Sequence, residues 1–286
     1  MAVLKMNFLS KALGMQTNVT ICLPSHSFAD RMSGREEVYV PGMKYQTLWL
    51  LHGGSGDDSD FVHFTNIVRY ADQHKLAVIM PADYNAAYTD AEGMNNFTYI
   101  VDELPKLCRA FFPLSEKRED NFVAGLSMGS HGAMKCAIVR PGQYCAALMM
   151  SGASYRPGVP PIVPIVNGEF RIPDKDSLPG MMGSIVSKVR DPEFIRGTEN
   201  DIYTIAKENA EKGIPLPKLI FHCGDKDHAL YRTKNAVEYL KENGYDVDFI
   251  LEPGYGHEWD FWDNSLRQAI TERLPIRHSA YYPDEV

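Results

Sequence analysis

The sequence lacks the marks of membrane-bound and nucleic-acid-binding proteins. No run of residues approaches the ~18 consecutive apolar residues that a membrane-spanning helix needs. Positive charge is also scarce, since 29 Lys and Arg face 37 Asp and Glu and leave a net charge of -8. Binding to phosphates or to anionic lipid requires the opposite balance. We therefore expect neither nucleic acid nor a membrane surface as a partner.

Cysteine is sparse, and export signals are missing. The five cysteines are scattered, odd in number and without the C-x-x-C spacing of zinc or redox sites. Lys5 and Lys11 interrupt the apolar residues near the N-terminus before the core of a signal peptide can form. These features favour a reducing compartment, so we expect a cytoplasmic protein.

What the sequence does have is the composition of a packed globular protein. Of its 286 residues, 44% are hydrophobic and 23% are charged, which is close to the globular average. This length suits one α/β or all-β domain that carries an insertion. We expect a single domain over residues 1–286.

Short apolar runs alternate with longer stretches of helical period, which is typical of a mostly parallel sheet covered by helices on both faces. The predicted strands are residues 18–23, 46–51, 77–80, 121–124, 146–150, 218–222 and 247–251. The predicted helices are residues 60–73, 96–111, 128–139, 202–211, 233–243 and 259–273. The pattern indicates an α/β fold.

A proline-rich segment interrupts this alternation. Residues 156–180 contain six prolines, which neither a regular helix nor a central strand tolerates. The segment is either a cap or long loop inserted at about residues 152–190, or a surface excursion without a role. Long loops in compact domains are often functional.

The strongest chemical signal is G-L-S-M-G at residues 125–129, directly after a predicted strand and directly before a predicted helix. A G-x-S-x-G sequence in this setting is a nucleophile elbow, in which a tight turn exposes the serine hydroxyl and requires small residues around it. Ser127 is therefore the predicted nucleophile. The start of the following helix favours developing negative charge there.

A second glycine-rich turn, H-G-G at residues 52–54, follows the predicted strand 46–51. Glycine lets a backbone amide approach a substrate carbonyl. The amides of Gly54 and Met128 are therefore expected to form an oxyanion hole. The Lys and Ser or Thr of a phosphate-binding Walker loop are absent from this turn.

An activated serine needs a base and an acid. In folds that carry a nucleophile elbow the acid follows the serine along the chain, and the histidine base follows the acid. His257 comes just after the last predicted strand and is the expected base, whereas His228 is expected to be structural or exposed. Asp225 and Asp227 both follow the strand before it. Either carboxylate can hold the imidazole, so position alone leaves the acid open.

These motifs together resemble the esterase D-like putative esterase family, and within it the tributyrin esterase group of the α/β-hydrolases. The motifs are L-L-H-G-G-S-G at 50–56, Y-T-D at 88–90, D-E-L-P at 102–105, G-L-S-M-G at 125–129, C-G-x-x-D at 223–227 and P-G-x-G-H-x-W-x-F-W at 253–262. The resemblance fails between residues 156 and 180. It implies an α/β-hydrolase fold, hydrolysis of short-chain, aryl or sugar esters without a cofactor or metal, and Asp227 as the acid.

The sequence also departs from this family. Ser130 replaces the second glycine usual after the elbow. His131 follows it, somewhat like the histidine in the S-M-G-G-H-G of S-formylglutathione hydrolases, which keeps a thioester substrate open. An acyltransferase with the same triad and an inactive carbohydrate-binding relative are further alternatives.

Aromatic side chains flank the predicted catalytic loops. Tyr88 and Trp259 are expected to bind the small-molecule ester, and Phe261 and Trp262 are further pocket candidates whose helical spacing also suits core packing. The sequence leaves a homo-oligomer open.

Overall fold

A computed structural model of the chain describes residues 1–34, 39, 41–91, 93–172, 188–189 and 191–277. The strands are β1 (Ala2–Ser10), β2 (Met15–Leu23), β3 (Thr47–Leu51), β4 (Ala77–Pro81), β5 (Asp90–Ala91), β6 (Met94–Asn95), β7 (Asn121–Leu126), β8 (Ala146–Met150), β9 (Ile165–Val166), β10 (Glu169–Phe170), β11 (Lys218–Gly224) and β12 (Val247–Glu252). Eight of these described strands form one sheet in the order β1-β2-β4-β3-β7-β8-β11-β12.

Helices cover the sheet. They are α1 (Phe28–Met32), α2 (Asp60–Phe64), α3 (Ile67–Gln73), α4 (Asn96–Thr98), α5 (Leu104–Phe111), α6 (Met128–Val139), α7 (Pro192–Ile195), α8 (Ile202–Glu211), α9 (Leu230–Glu242) and α10 (Trp259–Gln268). A 3-10 turn spans Arg118–Asp120, and π turns follow α4 at Tyr99–Glu103 and α10 at Ala269–Arg273. None of the helices in the described part of the chain is long and apolar enough to cross a membrane.

The central strands are buried on both faces, as parallel strands between helix layers must be. All five residues of β3 are buried, and its four apolar residues alternate between two hydrophobic clusters on opposite sides of the sheet. Trp49 and Leu51 belong to one cluster, whereas Leu48 and Leu50 belong to the other. The strand thus joins the two halves of the core.

The sheet is parallel from β4 through β3, β7, β8 and β11 to β12. At the opposite edge, β1 pairs antiparallel with β2, and β2 pairs antiparallel with β4. A mostly parallel sheet with helices on both faces is the architecture of the α/β-hydrolase fold, which confirms the predicted fold class. Its parallel strands bring their carboxyl ends, and the loops that follow them, to one edge.

The predicted helix 60–73 is wrong in one respect, because it is two helices. Thr65 ends α2 with an extended backbone, and its hydroxyl donates to the Phe61 carbonyl at 2.6 Å. The Thr65 hydroxyl oxygen also accepts a hydrogen bond from the Ile67 amide, at the start of α3, at 3.2 Å. A threonine hydroxyl that satisfies backbone groups in this way competes with a continuous helix.

The predicted helix 96–111 also changes its winding, through the π turn Tyr99–Glu103. Pro105, at the start of α5, has no amide hydrogen to donate to the residue four positions earlier. The wider π turn accommodates this missing bond without ending the helical run.

The proline-rich segment is described only in part. Residues 156–172 include the short hairpin of β9 and β10. Residues 173–187 and 190 lie outside the described residues, so the insertion at 152–190 and the single domain stay predictions.

Candidate active site

The nucleophile elbow joins β7 to α6. Ser127 adopts φ 53° and ψ -111°, a left-handed conformation rare for a residue with a side chain, immediately before α6. A Cβ at Gly125 would collide with the backbone of Gly129, and one at Gly129 would collide with the carbonyl groups of Leu51 and His52. The G-x-S-x-G spacing therefore has a steric cause, because three stretches of main chain meet there.

A hydroxyl, an imidazole and a carboxylate from three loops meet at this edge of the sheet. Ser127 Oγ lies 3.0 Å from His257 Nε2. His257 Nδ1 lies 3.1 Å and 3.2 Å from the two carboxylate oxygens of Asp227. A ring that donates Nδ1–H to the carboxylate leaves the Nε2 lone pair facing the serine hydroxyl.

The structure separates the two carboxylates that the sequence left open. Asp227 is fully buried, contacts His257 and accepts the Ala229 amide at 2.8 Å. Asp225 instead accepts the Gly254 amide at 2.8 Å and so holds the loop before His257. Burial raises the pKa of the Asp227 carboxyl, but the hydrogen bond and charge of His257, together with Ser151 and the Ala229 amide, outweigh burial, so that pKa lies below its ordinary value. Asp227 therefore stays ionised into acidic solution.

Two aromatic rings pack around His257. The His228 ring lies against the His257 ring with centroids 4.3 Å apart, and the Trp262 ring is perpendicular to it with centroids 5.0 Å apart. Trp262 Nε1 donates to Ser151 Oγ at 2.8 Å. These contacts restrict rotation of the imidazole.

His228 thus differs from the expectation that it is a structural or surface residue. Burial and the neighbouring His257 lower the pKa of His228. An uncharged ring can stack on His257 without repelling the positive charge that His257 gains as a base. The sequence contained one sign that His228 lies near the site, namely its position directly after Asp227.

His52 fixes the glycine-rich loop beside Ser127. Its Nδ1 donates to the Gly53 carbonyl at 2.7 Å, and its Nε2 accepts the Asp83 amide at 2.9 Å. Burial lowers the pKa of His52, so the ring is neutral and can donate at one nitrogen while it accepts at the other. In a trans peptide the Gly54 amide points away from the Gly53 carbonyl, and hence away from the His52 ring.

A cleft of about 290 Å³ opens beside these groups. Its walls include Gly54, Asp60, Phe64, Ser127, His257, Trp259 and Trp262. Trp259 packs against Phe64 with ring centroids 4.9 Å apart. The structure therefore places Trp259 at the cleft, as the sequence predicts.

Tyr88 requires a correction, because it lies in the core and not in the cleft. Its side chain is fully buried, and its hydroxyl donates to the His52 carbonyl at 2.8 Å. The absence of a side chain at Gly132 makes room for its ring. Phe261 is likewise fully buried and packs on His222 and Tyr255.

Asp227, His228 and His257 also form the group of potential metal ligands found in the described part of the chain, with ligand atoms within 4.8 Å of one another. Two of the three, Asp227 and His257, are already hydrogen-bonded to each other, and His257 also contacts Ser127. The expected independence from metals and cofactors stays a prediction.

Comparison with known proteins gives the family. The model of the family described as Putative esterase matches residues 10–272. The chain belongs to this family.

The esterase is also similar to individual proteins over nearly its whole length. The acetyl esterase of Caldicellulosiruptor saccharolyticus is 28% identical over 274 residues, which cover 94% of this chain and 97% of that protein. The solved fluorophosphonate-binding serine hydrolase F of Staphylococcus aureus is 30% identical with a TM-score of 0.74, covering 96% of this chain and 98% of that one. The S-formylglutathione hydrolase of the same organism is 29% identical with a TM-score of 0.75, at the same coverage. The protein is a serine ester hydrolase.

Proposed function

We propose that this esterase hydrolyses short-chain carboxylic esters through an acyl intermediate on Ser127, with His257 as the base and Asp227 as the acid of the triad. The observation that carries the proposal is the continuous hydrogen-bonded path from Ser127 Oγ through both nitrogens of His257 to Asp227. A serine hydroxyl is a weak nucleophile until a neighbouring base removes its proton.

In the first half of the reaction, Ser127 Oγ attacks the ester carbonyl while His257 Nε2 takes the hydroxyl proton. The negative charge of Asp227 stabilises the imidazolium that forms. His257 then returns this proton to the leaving oxygen, so an alcohol departs and the acyl group remains on Ser127.

In the second half, water takes the place of the alcohol. His257 removes a proton from the water as it attacks the acyl carbonyl, and then protonates Ser127 as the carboxylic acid leaves. Each proton that His257 accepts is returned within the same half-reaction.

The amides of Gly54 and Met128 are proposed to hold the negative oxygen of both tetrahedral intermediates. Met128 begins α6, where backbone amides have no partner within the helix. The hydrogen bond from His52 to the Gly53 carbonyl turns the Gly54 amide away from His52, and Gly54 lines the same cleft as Ser127. One such donor commonly contributes ~3 to 4 kcal/mol to transition-state stabilisation.

The cleft supports a small substrate. A volume of about 290 Å³ is at the lower end of ligand sites. Phe64, Trp259 and Trp262 offer aromatic surface to an aryl or sugar group, with Trp259 as the proposed binding residue. The similarity to an acetyl esterase favours a short acyl group.

A thioester of the S-formylglutathione type is the second candidate, favoured by the similarity to the hydrolase of that name. The residue that raised this alternative, His131, is buried and stacks on Tyr155, so it does not line the cleft. A comparison of kcat/KM for S-formylglutathione and an aryl acetate separates the two candidates. The acyltransferase alternative, a cytoplasmic location and a homo-oligomer stay predictions.

The proposal is tested by Ser127→Ala. We expect hydrolysis of 4-nitrophenyl acetate to fall at least about 10⁴-fold, with an unchanged circular dichroism spectrum. Rapid quenching of the wild type should reveal an acetyl group on the peptide that contains residue 127. Ser33→Ala changes an exposed serine outside the cleft, and this control should retain full activity. A loss of only a few-fold in Ser127→Ala contradicts the assignment.

A further inference from the structure

Arg232 is a buried charge without a counter-charge. It lies in the first turn of α9, and only 4% of its side chain is exposed. Its Nε and Nη1 atoms are enclosed and have no hydrogen-bond partner, and no ion pair found among the described residues includes it. A buried guanidinium without a partner costs several kcal/mol, so such a group usually has an anion to bind.

The other buried Lys or Arg side chain in the described part of the chain has partners, because Lys135 reaches Asn200 at 2.7 Å and Glu199 at 3.3 Å. The half-buried Lys75 also reaches a carboxylate, that of Asp30, at 2.6 Å. Arg232 has no such acidic partner among the described residues.

Arg232 lies beside the proposed nucleophile. A Cβ built on Gly152 would come within 2.9 Å of Arg232 Nη2 and 3.0 Å of the Ser127 carbonyl oxygen. The guanidinium and the elbow thus lie on either side of a residue that has no side chain.

Tyr155 adds a second unpartnered polar group at this place. The guanidinium carbon of Arg232 lies 4.7 Å from the centroid of the Tyr155 ring, which holds the cation by its aromatic face. The Tyr155 hydroxyl is enclosed and has no hydrogen-bond partner. A buried hydroxyl and a buried guanidinium without partners together provide donors for one anionic group.

We propose that Arg232 and Tyr155 form a subsite for a carboxylate carried by the ester substrate. The planar fork of a guanidinium matches the two oxygens of a carboxylate, and the Tyr155 hydroxyl can add a further bond. This inference rests on the proposed function and specifies its substrate class: esters that bear a negative charge a few bonds away from the reacting carbonyl.

Charges of opposite sign on two sides of Ser127 support this assignment. Asp60 lies in the cleft wall that includes Gly54, whereas Arg232 lies on the Gly152 side of the nucleophile. A substrate carboxylate is repelled by Asp60 on the Gly54 side and attracted by Arg232 on the Gly152 side. A substrate with one charged end is therefore bound in one orientation.

The test compares charged and neutral substrates of equal size. One pair places the carboxylate on the acyl half: 4-nitrophenyl hemisuccinate against 4-nitrophenyl succinamate. The other pair places it on the alcohol half: 3-acetoxybenzoate against 3-acetoxybenzamide. We expect the wild type to favour the charged member of one pair by at least about tenfold in kcat/KM, since a charge-assisted hydrogen bond is commonly worth that factor. The pair that shows the preference identifies the half that carries the charge.

Arg232→Gln should abolish this preference while it leaves the turnover of the neutral ester within a few-fold. Tyr155→Phe keeps the ring under the guanidinium and should reduce the preference in part. Arg156→Gln is the matched control, because Arg156 also stacks on tyrosine rings, at 4.5 Å from Tyr239. It should leave the preference unchanged.

Two results overturn the subsite: a wild type that prefers the charged member of neither pair, and an Arg232→Gln variant that keeps the preference. If Arg232→Gln does not fold, the wild-type ratios and Tyr155→Phe decide. A wild type that hydrolyses neither neutral ester contradicts the proposed function instead, so the two failures are distinguishable.

Discussion

The carboxyl edge of the parallel strands and the outer edge formed by β1 are held in opposite ways. At the carboxyl edge main chain meets main chain: a Cβ at Gly129 would collide with Leu51 and His52, and one at Gly224 with the backbone of Tyr255. At the outer edge, β1 pairs with β2 along its whole length but leaves Leu9 66% exposed. The position of the active site is thus set by contacts between backbones, whereas β1 contributes mainly hydrogen bonds.

After Ser127→Ala, the largest expected effect at the carboxyl edge is that of Asp227→Asn. An amide cannot stabilise the imidazolium, so we expect kcat for an aryl acetate to fall about 10³- to 10⁴-fold. Asp225→Asn, two residues away, should change kcat less than about threefold, because Asp225 contacts Gly254 and not His257. The reverse ranking would transfer the role of the acid to Asp225.

Gly129→Ala tests the backbone contact itself. The added methyl group separates the elbow from the loop that carries His52, so kcat should fall at least about 100-fold. We also expect a loss of about 1–3 kcal/mol of stability in urea denaturation. Gly142→Ala, where an added Cβ meets nothing within 4 Å, serves as the control. Equal behaviour of the two variants would refute the role of this contact.

His52→Asn tests whether the glycine-rich loop needs its histidine. Asparagine is too short to bridge the Gly53 carbonyl and the Asp83 amide, so the Gly54 amide loses its fixed direction. We expect kcat to fall about ten- to hundredfold with little change in KM, because oxyanion donors act in the transition state. His63→Asn changes an exposed histidine of α2 and should have no effect. A rise in KM at constant kcat would argue against the oxyanion role.

The smallest expected effect belongs to the outer edge. Leu9→Ala should cost less than about 0.5 kcal/mol of unfolding free energy and leave activity unchanged. Leu148→Ala, in the fully buried β8, should cost about 2–5 kcal/mol. Similar losses for the two variants, measured by chemical denaturation, would mean that β1 is covered in solution.

The same contrast explains which strands the sequence predicts. Strands β3, β4 and β8 are fully buried and read as short apolar runs, so their positions follow from the sequence. β1 was not predicted, because its side chains are mostly exposed and its pairing with β2 leaves no clear alternation. Hydrogen bonding between backbones creates this strand without a pattern of hydrophobic residues.

The parts of the site that could be predicted from the sequence are those that depend on contacts between residues close together in the chain. The elbow around Ser127 is recognisable in the sequence because its glycines are required by local contacts. A side chain at either glycine would collide with backbone a few residues away or in one neighbouring loop. Position in the sequence left Asp225 and Asp227 open, and the resemblance favoured Asp227. The contacts that separate the two depend on the path of the loop before His257. Arg232 could not be identified from the sequence, because its lack of a partner is a property of three-dimensional packing.

The backbone link between the proline-rich segment and the acid loop has a consequence for the diversification of this esterase. The Val163 amide donates to the His228 carbonyl at 2.9 Å, directly after Asp227. A main-chain bond of this kind places almost no demand on the side chains at either end. The proline-rich segment can therefore accumulate substitutions while the reactive groups keep their alignment.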